Sequence, residues 1–231
     1  MPKRGEGGEK TGGNIEIRNS RLLQSLFASE ASEGREREYE VERRFKPERT
    51  LSESELTEKS KGNFRDIAQA YIIALDRDRE KKTVRLRRTS PEPEVGALLR
   101  IVHKAKVKNP AGRDEYQIKF PETDERASEF NKLWAKHKWH VLEKRRYYIR
   151  HTLPNGVECE IHYDVHTGDG PLAGFVRIEV EFKNDEDEAY VRERHGKEDV
   201  LPDWIGTDVT ADARYGSKAL CEHGRPTEEM H

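Results

Sequence analysis

The sequence lacks the features that mark membrane and secreted proteins. It has only two cysteines, Cys159 and Cys221, so we expect no disulfide framework and predict a reducing, cytoplasmic location. No stretch approaches the roughly 20 consecutive apolar residues that a membrane span requires. No apolar signal-peptide core follows Met1. These absences predict a soluble protein without a membrane partner.

Apolar residues and net charge are also scarce. Hydrophobic residues make up 33% of the 231 residues and charged residues 38%, yet 43 Lys and Arg nearly cancel 45 Asp and Glu, leaving a net charge of −2. Fully disordered chains usually combine low hydrophobicity with high net charge. This sequence has the low hydrophobicity without the high net charge. Proteins that bind nucleic acid usually carry a basic excess, so we do not expect a nucleic-acid partner.

The chain divides into a folded body and two loose ends. Residues 1–35 begin with a segment rich in Gly, Lys and Glu and are predicted to be a largely flexible extension. Within this extension, four apolar residues from Leu22 to Phe27 could form a short amphipathic turn docked on the body. We assign one domain to residues 36–221 and a flexible tail to residues 222–231.

Alternation of polar and apolar residues predicts about eight strands. The predicted strands are Tyr39–Phe45, Ile67–Leu75, Thr83–Arg88, Leu98–Lys106, Glu115–Phe120, Leu142–Ile149, Glu158–Val165 and Phe175–Phe182. Helical spacing and end signals predict helices at Leu51–Lys61, Glu122–His140 and Asp185–His195. The fold class is therefore α+β, with a mainly antiparallel sheet.

The polar face of these strands is almost entirely ionised. Carboxylates recur two residues apart at Glu40/Glu42, Glu158/Glu160 and Glu179/Glu181, and cations recur at Arg85/Arg87, Lys104/Lys106 and Lys144/Arg146. Residues two apart on a strand share a face and lie about 6.5–7 Å apart. Paired carboxylates repel each other unless positive charge lies between them. A solvent-exposed face is the simpler interpretation of alternation, but it does not explain this pairing by sign.

A closed barrel would bring the two sets of charges together around a lumen. Mg²⁺ takes oxygen ligands from one or two carboxylates together with substrate phosphates. Arginine binds phosphate oxygens in bidentate fashion, and lysine binds them as a point charge. About eight strands can close around such an interior. The pattern predicts a lumen that holds a metal on one wall and phosphates on the others.

An ordered series of motifs resembles the CYTH, or triphosphate tunnel metalloenzyme, superfamily. Residues 40–44 resemble its ExExK signature, residues 67–72 its IxQxYL strand and residues 84–87 its xRxR strand. Residues 113–116 correspond to RxEY, 143–147 to EKxRY and 178–182 to the closing VEVEF strand. Residues 204–210 and 214–218 resemble the family's C-terminal segments. The resemblance covers about residues 38–221.

This resemblance implies an eight-stranded antiparallel closed β-barrel with flanking helices that binds triphosphate compounds and a divalent metal, Mg²⁺ or Mn²⁺. The implied metal ligands are Glu40, Glu42, Glu179 and Glu181. The implied phosphate-binding residues are Arg85, Arg87, Lys104, Lys106, Arg113, Lys144, Arg146 and, as a clamp from the C-terminal segment, Arg214.

The sequence also departs from the family pattern. Arg44 replaces the signature lysine, which in some members works with a tyrosine matching Tyr71 to activate the attacking water. Arginine stays protonated, so Arg44 can bind phosphate but cannot act as a base. Arg44, Tyr71 and Glu115 are the candidate catalytic residues. Water activation would then fall to a metal-bound water or to a lumen carboxylate such as Glu115 or Glu160. The register of the strand around Glu160 remains open, and His162 is interpreted as a hydrogen-bonding group in preference to a metal ligand.

Three functions are compatible with these residues. The first is hydrolysis of a triphosphate, with inorganic triphosphate (tripolyphosphate) as the default substrate and ATP or thiamine triphosphate as further candidates. The second is a catalytically weak module that binds nucleotides or polyphosphate, which the change to Arg44 motivates. The third is cyclisation of ATP, although no adenine pocket is evident. We expect a monomer or a homodimer.

Overall fold

The computed structural model describes residues 15–16, 20–28, 35–75, 80–92, 96–106, 111–137 and 141–227. Ten strands form one sheet. They are β1 (Ile15–Glu16), β2 (Arg35–Pro47), β3 (Phe64–Leu75), β4 (Lys81–Glu92), β5 (Gly96–Lys106), β6 (Gly112–Pro121), β7 (Val141–Thr152), β8 (Glu158–His166), β9 (Val176–Phe182) and β10 (Ile205–Asp208). The α-helices are α1 (Arg21–Leu26), α2 (Glu53–Ser60), α3 (Ala127–His137), α4 (Asp185–Arg194) and α5 (Ser217–His223).

Eight of these strands close into an antiparallel barrel, which confirms the predicted fold class. The order around the barrel is β3-β4-β5-β6-β2-β9-β8-β7, and β7 pairs again with β3 through residues 141–147 and 64–70. The short strand β1 adds in parallel to the far end of β3, and β10 pairs with the end of β2. The eight predicted strands correspond to β2 through β9, although most of them are longer than the alternating pattern indicated.

Local sequence signals explain where the helices begin and end. Ser52 caps α2 through a reciprocal capping box with Glu55, and Lys61 ends the helix in the left-handed conformation at φ 53°. The Asn184 side chain accepts hydrogen bonds from two backbone amides at the acidic start of α4. The helix predicted at 122–140 begins later, at Ala127, because the Asp124 side chain accepts the Arg126 amide in a turn that follows β6.

The hydrophobic core lies on the outside of the barrel, beneath the helices. One cluster includes Phe45, Ile178 and Trp204, and a second includes Leu86, Ile101 and Phe130. Leu22, Leu23 and Leu26 of α1 are buried in the second cluster, so this part of the N-terminal segment packs on the barrel. The outward faces of the strands therefore provide the apolar core, and their inward faces are left to the charged residues.

Two further features bear on the sequence predictions. Both cysteines are free thiols. Among the described residues, no helix is long and apolar enough to cross a membrane.

Candidate active site in the barrel lumen

The barrel encloses a cavity of about 990 Å³. Alternation along each strand turns every second side chain inward, so the ionised faces of neighbouring strands meet around this space. The charged residues that line the cavity are Glu38, Glu40, Glu42, Arg44, Arg85, Arg87, Arg100, Lys104, Arg113, Glu115, Lys119, Arg146, Glu160, His162, Glu179, Glu181 and Lys218. Opposite charges thus face one another across one enclosed volume.

Three carboxylates form a compact group on one wall. Glu40 and Glu42 lie on β2 and Glu181 lies opposite Glu42 on β9, and one oxygen from each falls within 4.8 Å of the others. Burial raises the pKa of Glu40 to about 7; the nearby Lys104 works against this, and the neighbouring carboxylates add to it. Oxygen donors that repel one another at this spacing fit a hard divalent cation. The donor set therefore suits a hard divalent cation.

Lys104 places its ammonium group beside these carboxylates. Its Nζ is hydrogen bonded to Glu40, lies 3.9 Å from Glu42 and lies 3.2 Å from Glu115 on β6. A divalent cation on Glu40 and Glu42 would compete with Lys104 for the same oxygens. Cation binding would then release the ammonium group for an anionic ligand.

Glu179, the fourth carboxylate of the predicted metal set, has different partners. It is ion paired with Arg146, and Arg177 Nη2 lies 2.6 Å from its Oε1. Although burial disfavours its charge, Arg177 and Arg146 hold the pKa of Glu179 well below the ordinary value. Glu179 lines the cavity, but in this structure its carboxylate is ion paired with Arg146 and Arg177 and is not part of the carboxylate group on β2 and β9.

His162 joins two carboxylates beside the acidic group. Its Nε2 lies 2.6 Å from Glu160, and its Nδ1 lies 3.0 Å from Glu181. Burial disfavours protonation, but Glu181 and Glu160 outweigh it and raise the pKa of His162 to about 9. The pairing of β8 with β9 sets His162 opposite Glu179 and Glu160 opposite Glu181, which settles the register that the sequence left open. One ligating atom each from Glu160, His162 and Glu181 also lies within 4.8 Å of the others.

The facing wall carries the predicted phosphate-binding arginines. Arg85 and Arg87 of β4 point into the cavity, and Arg85 lies 3.3 Å from both oxygens of Glu115. Burial works against ionisation of Glu115, but Arg85 and Lys104 outweigh it and lower its pKa to about 2. Glu115 is therefore ionised and held between two cations, so its geometry suits positioning of Arg85 and Lys104.

Arg44 and Tyr71 also line the cavity, from β2 and β3. Arg44 Nε lies 3.7 Å from a Glu42 oxygen, and the Tyr71 hydroxyl accepts a hydrogen bond of 3.2 Å from Gln69. Among the described residues no hydrogen bond joins Arg44 to Tyr71.

A buried ionic network closes one end of the barrel. Asp164 of β8 is ion paired with Lys144, Arg146 and Arg177. Arg177 also donates to the Tyr215 carbonyl at 2.8 Å and to the Ser217 hydroxyl at 3.0 Å, which ties the C-terminal segment to this end. Lys144 lies in this network and borders a second, smaller cavity of about 330 Å³, whereas Arg146 lines the main cavity.

The structure distributes the other predicted cations unevenly. Arg113 lines the cavity, whereas the Lys106 side chain lies outside the described residues. Arg214 pairs with Asp212 at 2.7 Å, donates to the Thr227 carbonyl and does not line the cavity. Lys218, on α5, lines it instead.

Sequence reasoning missed Lys218, Arg100, Lys119 and Tyr148 as lining residues. Arg100 could have been predicted from the sequence, because it lies on the same face of β5 as Lys104.

The fold and lumen together define a class: a closed β-barrel with a charged lumen that carries a group of carboxylates. No protein-family profile matches the sequence. A curated relative, an inorganic triphosphatase from Nitrosomonas europaea, is 31% identical over 163 residues, which cover 67% of this chain and 95% of that protein. The chain belongs to the CYTH, or triphosphate tunnel metalloenzyme, superfamily.

Two solved structures are also similar. A Pyrococcus horikoshii protein has 15% identity and a TM-score of 0.41, over 72% of this chain and 94% of that chain. A Hippeastrum protein, described as a putative adenylyl cyclase with a dominant triphosphatase activity, has 11% identity and a TM-score of 0.40, over 84% of this chain and 99% of that chain. The family assignment rests on the Nitrosomonas relative.

Proposed function

We propose that this protein is a divalent-metal-dependent triphosphatase whose substrate is inorganic triphosphate. The observation that carries the proposal is the arrangement of one closed lumen, with Glu40, Glu42 and Glu181 grouped on one wall and Arg85 and Arg87 on another. The name of the Nitrosomonas relative, an inorganic triphosphatase, supports the same reaction and substrate.

The cationic residues bind and orient the phosphate chain. Arg85, Arg87 and Arg146 offer guanidinium groups to phosphate oxygens, and Glu115 fixes Arg85 and Lys104 in place. Glu40, Glu42 and Glu181 would hold the cation. When bound, Mg²⁺ or Mn²⁺ supplies positive charge to the phosphate oxygens. Hydrolysis of a phosphoanhydride depends mainly on positioning and on neutralising charge in the in-line transition state, and these residues supply both.

Glu160 is the carboxylate that we assign to accept the proton of the attacking water. His162 Nε2 lies 2.6 Å from Glu160, and Glu160 also lines the cavity. Glu115 is a weaker candidate, because Arg85 and Lys104 already occupy it. Arg44 contributes charge and is not a base.

A substrate panel tests the reaction. Purified protein is incubated with tripolyphosphate, ATP or thiamine triphosphate, with Mg²⁺ or Mn²⁺ and with a chelator, while orthophosphate and cyclic AMP are measured. We expect orthophosphate from tripolyphosphate, its loss with the chelator, and no cyclic AMP. Tight tripolyphosphate binding without any product would contradict the enzymatic function and favour a binding module.

A carboxylate variant tests whether Glu40, Glu42 and Glu181 hold the cation. Glu181→Gln should lower kcat/KM for tripolyphosphate by about 100-fold or more and raise the Mg²⁺ concentration needed for half-maximal activity, because one anionic ligand is lost. Glu186→Gln, on the exposed surface of α4, is the matched control and should behave like wild type. Equal activity of the two variants would refute the metal assignment.

A further inference from the structure

The Lys104 side chain reaches a strand that does not neighbour its own. Lys104 of β5 is paired directly with Glu115 of β6, and its Nζ lies 3.2 Å from that carboxylate. The same Nζ extends past β6 to β2, where it is hydrogen bonded to Glu40 and lies 3.9 Å from Glu42. Neighbouring strands are about 4.8 Å apart, so the side chain spans two strand spacings. The ammonium group thus has one carboxylate partner on β6 and two on β2.

The partners on β2 are two of the three carboxylates that the proposed function assigns to the cation. Glu40, Glu42 and Glu181 each bring one oxygen within 4.8 Å of the others. In the described part of the chain, Lys104 is the one basic residue ion paired with Glu40, and Glu42 has Arg44 at 3.7 Å in addition. Lys104 therefore places a single positive charge on the oxygens that would hold a dication.

An ammonium group and a dication on the same carboxylate oxygens would repel each other. We propose that Lys104 occupies Glu40 and Glu42 until a divalent cation displaces it, and that the displaced ammonium group then turns to the anionic ligand. Lys104 thereby sets the affinity of the protein for the bare cation. This inference rests on the proposed function, which supplies the cation and the triphosphate.

Glu115 is suited to keep Lys104 in the lumen in both states. Arg85 lies 3.3 Å from both of its oxygens and holds it in place, and Glu115 is not part of the carboxylate group on β2 and β9. A lysine carries its charge on a flexible four-carbon stem, so the ammonium group can leave β2 while it stays near Glu115. The exchange therefore needs the movement of one side chain only.

This exchange couples the cation to the anion. The cation binds only where Glu40 and Glu42 are free of the ammonium group, so its apparent affinity is reduced by the fraction of the protein in that state. A triphosphate that draws Lys104 away raises the affinity for the cation. The cation raises the affinity for the triphosphate by the same factor, because coupling between two sites is reciprocal.

Calorimetry with Mn²⁺ alone, without any phosphate, tests the exchange. Lys104→Met should bind Mn²⁺ at least about tenfold more tightly than wild type. Lys104→Gln should change the affinity in the same direction, and it provides the test if Lys104→Met does not fold. Lys119→Met is the matched control, because it removes the same charge from the lumen but Lys119 pairs with Glu36 and Glu38. Its Mn²⁺ affinity should stay within about twofold of wild type.

A second measurement separates exchange from a fixed electrostatic effect. At saturating tripolyphosphate, the free Mn²⁺ concentration needed for half-maximal hydrolysis should differ by less than about threefold between wild type and Lys104→Met. The reason is that the substrate already holds the ammonium group of wild type. A difference of about tenfold both with and without substrate would overturn the exchange.

Distinct results separate this inference from the proposed function. Equal Mn²⁺ affinity of wild type and Lys104→Met would overturn the inference alone if chelator-sensitive hydrolysis of tripolyphosphate persists in wild type. An equal gain in Lys119→Met, or no Mn²⁺ binding by Lys104→Met while wild type still hydrolyses tripolyphosphate, would do the same. If no protein binds Mn²⁺ and no orthophosphate is released, the proposed function fails and the inference fails with it.

Discussion

Arg44 occupies the lumen position at which the family signature has a lysine. Its backbone is fixed on both sides, since its amide donates to the Thr210 hydroxyl at 2.9 Å and its carbonyl accepts the Val209 amide at 2.8 Å. Its guanidinium lies close to Glu42 and beside Gly216, where an added Cβ would come within 3.6 Å of it. Because Gly216 has no side chain, the site has room for a guanidinium group in place of the smaller lysine ammonium group. We infer that this position contributes positive charge.

Substitutions at Arg44 test whether charge suffices. Arg44→Lys keeps the charge and should keep kcat on tripolyphosphate within about threefold, while Arg44→Gln should lower kcat/KM about 10- to 100-fold because one charge-assisted contact to phosphate is lost. Steady-state kinetics with saturating Mg²⁺ provide the comparison. Full activity of Arg44→Gln would show that the position has no role in substrate binding.

His166 is a buried residue that links stability to pH. Both ring nitrogens are buried without a hydrogen-bond partner among the described residues, and the ring lies 5.5 Å from that of Phe175. Burial and the charges of Lys144 and Arg177 lower the pKa of His166 to about 3. Between about pH 3 and the ordinary value of 6.5 the unfolded chain binds a proton that the folded chain does not, so stability falls as the pH falls through this window.

We therefore expect His166→Phe to remove part of this acid sensitivity. The variant replaces the unpaired imidazole with an apolar ring of similar shape and should be more stable than wild type at pH 5. The wild-type deficit should grow by up to about 1.4 kcal/mol per pH unit below 6.5. Urea unfolding at pH 7.5, 6 and 5 measures it. A difference between the two proteins that does not change with pH would contradict the assignment.

Strand β2 presents candidate site residues on one face and an ion-paired arginine on the other. Glu40, Glu42 and Arg44 point into the lumen, and the Arg43 side chain points outward to Glu188 of α4 and Asp208 of β10. The Arg43 side chain is only 13% exposed and Glu188 only 3%. These outer ion pairs join β2, α4 and β10 behind the strand that carries Glu40 and Glu42, so they hold β2 in place from outside.

Loss of Arg43 should cost stability with little direct effect on chemistry. Arg43→Met leaves the buried Glu188 with only the longer 3.9 Å contact to Arg192 and should reduce the free energy of unfolding by about 2–4 kcal/mol, somewhat below the range for a fully buried pair. Arg37 lies on the same strand as Arg43. Arg37→Met removes its exposed ion pair with Asp114 of β6 and should leave stability nearly unchanged. Chemical denaturation measures the free energy of unfolding of both variants. Equal losses in Arg43→Met and Arg37→Met would contradict this role of Arg43.

The elements that sequence could predict are those with a local signal. Alternation placed the charged faces of β2, β4, β8 and β9, and the Ser52 cap and the acidic first turn from Asp185 marked helix starts. Pairing across strands has no local signal. The sequence therefore could not tell that Asp164 would ion pair with Lys144 and Arg146 of the neighbouring strand, or that α5 would turn Lys218 inward while Arg214 turned to Asp212. The docking of α1 likewise depends on an apolar surface built by distant strands.

Across the whole barrel, the near-zero net charge conceals a separation of sign. Carboxylates of β2 and β9 face arginines of β4 and β7 across the cavity, and the apolar residues lie outside under the helices. The low apolar fraction of the sequence follows from this arrangement, because the interior of the barrel is filled by ionised groups. Under the proposed function, the same arrangement would hold the triphosphate and its cation together in the lumen.

Anomalous diffraction from crystals grown with Mn²⁺ and tripolyphosphate tests the central claim most directly, because it locates the metal and the phosphates together. We expect a manganese peak within coordinating distance of Glu40, Glu42 and Glu181, with phosphate density in the lumen against Arg85 and Arg87. Manganese bound only on the outer surface, or a lumen without phosphate density at saturating ligand, would contradict it.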